Sequence, residues 1–201
     1  EQLKDVIATA QNRLTDSFIQ NKDFFKQNSP NCYIISGGFI EIIYPILKPF
    51  NISKKNIFAN QFIYDNDENI ISIDDKNPLS KDKGKVEVVK NISGQNIIIG
   101  DGYTDYELKK YGEAKIFIQF AENINRKKLN KHADFIARNF NDIIKFLHEL
   151  VYEIFSVDYT NFDSMRDFEL YGYSDWLDLV RYLKQGSFST GITKAEFEIL
   201  L

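Results

Sequence analysis

Three consecutive isoleucines, Ile97 to Ile99, run straight into Gly100-Asp101-Gly102. A short apolar run of this kind suits a strand buried on both faces of a parallel sheet. Two glycines around one acid let the chain turn sharply where the strand ends, and let another group approach the backbone closely. Asp101 then stands at the carboxyl end of a strand, where open α/β sheets place their ligands. Asp105 follows four residues later, at the start of a helix predicted over about 104 to 111. Two carboxylates at one strand end make a hard, oxygen-rich site, and that chemistry suits Mg2+. From these residues alone, an acidic glycine turn between strand and helix reads equally well.

The rest of the chain repeats the same alternation. Residues 2 to 27 read as helical, with Leu3, Val6, Ile7 and Ala10 at helical spacing. Asn28-Ser29-Pro30-Asn31 ends that segment, and Cys32 to Ile35 is a short apolar strand. Ser36-Gly37-Gly38 reads as a tight turn, followed by a helix over 39 to 50 bent at Pro45. Residues 57 to 59 are extended, and 61 to 73 read as a β-hairpin around Asp65-Asn66-Asp67-Glu68-Asn69. A helix is predicted over about 81 to 92. Strands at 114 to 120 and 135 to 137 follow, then a helix from 139 to 150. Strands alternating with helices indicate an α/β fold: a Rossmann-like, mostly parallel sheet with flanking helices and right-handed crossovers. The hairpin departs from a simple doubly wound pattern.

Beyond 150 the chain becomes dense in aromatic residues, from Tyr152 to Trp176. Helices are predicted at about 174 to 185 and, from the Thr193 and Glu196 capping box, at the end of the chain. The domain reading is therefore 1–27, 28–150 and a helical, aromatic-rich extension at 151–201. No internal repeat is present.

With 201 residues, 43% of them hydrophobic, there is enough chain for a substantial core. A net charge of −4 gives no general argument for nucleic-acid binding. No apolar run approaches membrane-spanning length, so no membrane partner is expected. Cys32, the single cysteine, lies in an apolar run and is expected to be a buried thiol in a cytoplasmic protein. The chain opens on Glu-Gln-Leu-Lys-Asp, inside an amphipathic helical pattern, as a segment of a longer chain would.

Three chemically suggestive sites fall in order. Ser36-Gly37-Gly38 follows a strand, Lys85 lies in Lys83-Gly84-Lys85-Val86-Glu87, and Asp101 and Asp105 follow the next strand. Phosphoryl transfer uses such parts. Backbone N–H groups and a hydroxyl hold phosphoryl oxygens, and a fixed ammonium neutralises developing charge. A carboxylate-bound Mg2+ bridges nucleophile and phosphate. Each part alone also has a plain reading, as a turn or a solvated lysine.

Ile-Ile-Ser-Gly-Gly-Phe, the later Lys85, and Ile-Gly-Asp-Gly-Tyr-Thr-Asp together resemble motifs two, three and four of the haloacid dehalogenase superfamily. Within it, roughly residues 1 to 147 resemble phosphoserine phosphatases. Asn56 to Asn60, Asn77 to Ser80 and Ala121 to Asn123 resemble the phosphatase half of bacterial fusions with phosphoglycerate dehydrogenase. The resemblance implies that Ser36, with the backbone of Gly37 and Gly38, binds the phosphoryl group. It implies that Lys85 stabilises a phosphoaspartyl intermediate, that Asp101 ligates Mg2+, and that Asp105 supports the metal shell. Residues 1 to 27 would be the last part of the helical cap. The implied substrate is a small phosphorylated metabolite, phosphoserine, in serine biosynthesis.

One departure matters. The family's nucleophile lies in Asp-x-Asp-x-Thr or Ser, and this chain has no such motif. Asp158, after the apolar run Ile154-Phe155-Ser156-Val157, is a candidate only if the fold is permuted. It would then lie on a strand beside the one ending at Asp101. The alternatives are a nucleophile from elsewhere, or a catalytically inactive phosphatase-like domain that binds a ligand or partner.

Overall fold

The computed structural model describes residues 2–156 and 197–200. Three helices come first: α1 (Gln2–Gln11), α2 (Asp16–Gln20) and α3 (Lys22–Asn28). The segment 2 to 27 is helical as read, in three pieces, with Thr15 (φ −59°, ψ 131°) as the N-cap of α2 between the first two. Then follow β1 (Cys32–Phe39), α4 (Ile40–Leu47) and β2 (Ile57–Asn60). Next come β3 (Phe62–Tyr64), β4 (Ile70–Ile73) and α5 (Gly84–Val89). The series continues with β5 (Gln95–Gly100), α6 (Tyr103–Lys110), β6 (Ile116–Phe120), β7 (Phe135–Ala137), α7 (Phe140–Ser156) and β8 (Phe197–Leu200).

Six strands form one sheet in the order β2-β1-β8-β5-β6-β7, and every pairing in it is parallel. β3 and β4 form a separate antiparallel hairpin. The α/β architecture with a parallel sheet and a hairpin is thus as the sequence predicts. Parallel strands covered on both faces are apolar throughout, and Ile97, Ile98 and Ile99 on β5 are all buried. α5 and α6 pack onto one face through Val86, Val89 and Leu108, against Ile35, Ile98 and Phe117. Phe25, Phe50 and Phe140 form an aromatic cluster with Phe18, and the Phe25 and Phe140 rings are 4.6 Å apart. Cys32 is fully buried.

The chain divides into two compact units, residues 1–140 with 196–201, and residues 141–195. No helix among the described residues is long and apolar enough to cross a membrane.

Several local expectations need correction. Ser36-Gly37-Gly38 is not a tight turn but continues β1 in extended form. Ile35 pairs with Phe58 and Phe39 with Asn60, so the β1 side carries extra residues and bulges. The helix predicted over 81 to 92 is shorter, Gly84–Val89, and Lys83 before it takes a left-handed backbone (φ 56°) that breaks the helical run. A Cβ on Gly84 would lie 2.0 Å from the Pro78 carbonyl oxygen.

The end of the chain is strand, not helix. Phe197–Leu200 pairs on both sides, with β1 and with β5. Two ladders of backbone hydrogen bonds outweigh a capping box, whose residues contribute about 0.5–2 kcal/mol. The apolar run at 154 to 157, read as a strand, enters the last turn of α7 through Ser156. Four apolar residues do not by themselves distinguish strand from helix. Both edges of β5 are taken, by β6 and β8, so the strand expected to bring Asp158 beside Asp101 is not a neighbour of β5. Asp158 itself, and the helix predicted at 174 to 185, lie outside the described residues.

Candidate functional site

β1, β8 and β5 run parallel and side by side, so their carboxyl ends lie on one edge of the sheet. β1 brings Ser36, Gly37 and Gly38 to that edge. The Gly38 N–H donates to Ser36 Oγ at 3.0 Å, which fixes the hydroxyl oxygen within the bulge. The Gly37 carbonyl accepts from Asn60 Nδ2 at 2.9 Å. Asn60, buried at the end of β2, also donates to the Leu79 carbonyl at 3.4 Å. One amide therefore braces the Ser36 segment against the segment that leads to α5.

β5 delivers the acids. Asp105 sits in the first turn of α6, with one carboxylate oxygen accepting the Gly102 N–H at 2.9 Å. An acid in this place satisfies a free N–H of the helix start and complements its dipole. The other oxygen pairs with Lys85 Nζ at 2.5 Å. The two side chains are 22% and 9% exposed, so this ion pair is largely shielded from water. Gly100 permits it: a Cβ there would lie 2.2 Å from Asp105 Cγ.

Lys85 is thus tied to the end of β5 although it belongs to α5. It lines a cavity of about 300 Å3 together with Gly37, Lys81, Lys83, Thr104 and Glu107. That size suits a small metabolite. Lys83 adopts a left-handed backbone (φ 56°) at the start of α5. Its ammonium lies over the Tyr111 ring, 5.0 Å from the centroid, and its hydrogen bond to Tyr111 raises its pKa.

Asp101 lies just past β5, and its side chain is half-exposed. One of its oxygens, Oδ2, accepts from Arg126 Nε at 3.3 Å and Nη2 at 3.1 Å. Among the described residues no three of His, Cys, Asp and Glu gather into a metal-binding group.

No family model matches the chain. Chloroplastic phosphoserine phosphatase of Arabidopsis thaliana is 33% identical over 127 residues, covering 61% of this chain and 43% of that protein. Phosphoserine phosphatase of Drosophila melanogaster is 29% identical over 150 residues, covering 72% and 55%. A phosphoserine phosphohydrolase-like protein from Francisella tularensis subsp. tularensis SCHU S4 has a crystal structure that matches with a TM-score of 0.59 at 33% identity. The match covers 67% of this chain and 63% of that one. The chain is similar to phosphoserine phosphatases, proteins of haloacid dehalogenase type. It spans about half the length of the first two relatives.

Gly37 and Lys85 line the cavity, Asp105 is tied to it through its ion pair with Lys85, and Ser36, Gly38 and Asp101 are not among its lining residues; Asp101 directly follows β5. Sequence reading quoted Asn60 only as the end of the Asn56 to Asn60 run, and did not single out Thr104 or Arg126. Asn60 ends an apolar strand, and a buried amide at a strand end was the signal available for it. Thr104 lies inside the quoted Gly-Asp-Gly-Tyr-Thr-Asp run. Arg126 carries no local signal, because it meets Asp101 only through the folding of the β6 loop.

Proposed function

We propose that this chain carries the phosphate-binding part of a phosphomonoesterase site, Mg2+-dependent and acting on phosphoserine in cytoplasmic serine biosynthesis. The observation that supports the reading is that Gly37, next to Ser36, and Lys85 line one cavity, with Asp105 paired to Lys85 just beyond the carboxyl end of β5. Ser36, through its hydroxyl, and the Gly37 backbone hold phosphoryl oxygens. Lys85, placed by Asp105 and shielded from bulk water, offsets negative charge that builds on the phosphoryl group, a contribution made larger by the low local dielectric. Asp105 acts through Lys85 and the α6 start, as a positioning residue.

The residues suit a hard divalent cation in part. Asp101 offers a half-exposed carboxylate, and among the described residues its Oδ1 accepts no hydrogen bond. When bound, Mg2+ would supply charge neutralisation between the phosphate and its attacking group.

The reaction also needs a nucleophile, an aspartate carboxylate that attacks phosphorus as the P–O bond to the serine oxygen breaks and that oxygen takes a proton to leave as serine; water then hydrolyses the aspartyl phosphate to inorganic phosphate and the free carboxylate. β8 marks where such a group would have to come. Leu200 pairs with both Tyr33 and Ile98. A strand in this slot comes level with Ser36 and Asp101 three places further on, between the phosphate-holding segment and the acid. The second reading is a catalytically inactive phosphoserine-binding domain, favoured by the absence of Asp-x-Asp-x-Thr from the sequence.

Phosphate release from phosphoserine with Mg2+, measured beside phosphoserine binding by calorimetry, separates the readings. Turnover above the uncatalysed rate that is lost in Lys85→Met supports the enzyme. Saturable binding without turnover, weakened by Ser36→Ala, supports the binding domain. Neither turnover nor binding rejects both.

A further inference from the structure

Arg126 belongs to the loop that follows β6, and its guanidinium is spent on one oxygen of Asp101 through two donors, Nε and Nη2. The backbone beneath it is held firmly. Gln119 Nε2 donates to the Arg126 carbonyl at 3.2 Å, and the Leu129 N–H donates to the same oxygen at 2.8 Å. Gln119 is fully buried and stands opposite Gly100 in the β5–β6 ladder, one residue before Asp101. The loop is therefore anchored at the same level of the sheet as the acid it reaches. Arginine suits this task, since its charge is permanent and its donors form a rigid fork.

Resting on the reading of Asp101 as a cation ligand, we infer that Arg126 is a positioning residue that competes with the divalent cation for Asp101. Without the cation it neutralises the carboxylate and holds its rotamer at the strand end. A doubly charged ion bound to the same carboxylate faces the guanidinium at close range and must displace or weaken it. Arg126 thereby lowers cation affinity and keeps the acid in place for loading. The two side chains are 50% and 47% exposed, so solvent screens the pair and the effect is modest.

The test is calorimetric titration of MgCl2 into the full chain, at low and high ionic strength, with the folded state of each variant checked by circular dichroism. Arg126→Ala is expected to bind Mg2+ about two- to fivefold more tightly than the parent, equivalent to about 0.4–1 kcal/mol. Arg126→Lys, with a single ammonium, is expected to fall between them. The gap should shrink as salt screens the pair. Asp101→Asn should remove the binding. Equal or weaker binding in Arg126→Ala, with Mg2+ still bound through Asp101, overturns the competition and leaves the metal reading standing. No Mg2+ binding in the parent or in Arg126→Ala overturns both.

Discussion

Replacing Gly100 by alanine strikes the contact on which the site geometry depends. The new Cβ would lie 2.2 Å from both Cγ and Oδ2 of Asp105, and 2.6 Å from its Cβ. These are not the far end of a flexible chain, because the Asp105 carboxylate is held at both oxygens. Moving it releases Gly102 N–H and Lys85 Nζ together. Overpacking of this kind costs about 1–3 kcal/mol. Loss of a helix-start cap costs about 0.5–2 kcal/mol. The Lys85 pair is more buried than surface pairs, which contribute about 0.2–1 kcal/mol. All three losses pass through one carboxylate and are not additive, so the expected total is about 2–4 kcal/mol. With a urea m-value of about 2 kcal/mol/M, the midpoint falls by about 1–2 M. Two other glycines serve as controls. A Cβ on Gly102 would lie 3.2 Å from Asp105 Oδ2, and a Cβ on Gly37 meets nothing within 4 Å. The expected order of destabilisation is Gly100→Ala, then Gly102→Ala, then Gly37→Ala. A Gly100→Ala protein no less stable than Gly37→Ala would refute the claim that this close approach organises the site.

Asn60→Ala removes the bonds to the Gly37 and Leu79 carbonyls and should cost about 1–3 kcal/mol; phosphoserine affinity should fall with it, and unchanged affinity would show that the Ser36 segment holds its shape alone. Burial pushes the Cys32 thiol up to about 12, so the fold disfavours the thiolate. That contribution to stability is intact below the ordinary thiol pKa of about 8.5 and is lost as pH rises from there towards 12. Ellman's reagent at pH 8 should leave the native protein unlabelled and react in denaturant; rapid stoichiometric labelling of the native chain would contradict the burial.

What sequence showed and what it hid follow from the range of the interactions involved. The isoleucine run before Gly100 was readable because burial on both faces of a parallel strand leaves a continuous apolar signature. The hairpin was readable from its turn: Asp65 accepts from the Asp67 and Asn69 N–H groups, so the turn chemistry is local. The Ser36-Gly37-Gly38 segment misled because glycines permit a turn without requiring one, and the pairing of Phe39 with Asn60 keeps it extended. Gly84 starts its helix hard against the Pro78 carbonyl, a close approach that no helical periodicity reports. Arg126 and Asp101 are 25 residues apart in sequence and meet only because β5 and β6 are adjacent.

The centre of the sheet was the hardest part to foresee. β1 and β5 lead into the segment proposed to hold phosphate and into the acids, yet they do not pair with each other; β8 separates them and bonds to both. A strand in that position needs little sequence of its own, since both neighbours offer it a ladder, and four residues are enough. Its helical capping signal was therefore overruled by long-range pairing, while the apolar run before Asp158, which looked more like a strand, continued a helix. The chemistry constrains this slot more tightly than chain order does. On the proposed reading a nucleophile must stand level with Ser36 and Asp101 to reach a phosphate held beside Lys85, and the parallel register fixes where along a central strand that level falls. Any carboxylate that serves the reaction has to meet that geometric demand, whichever segment of polypeptide brings it.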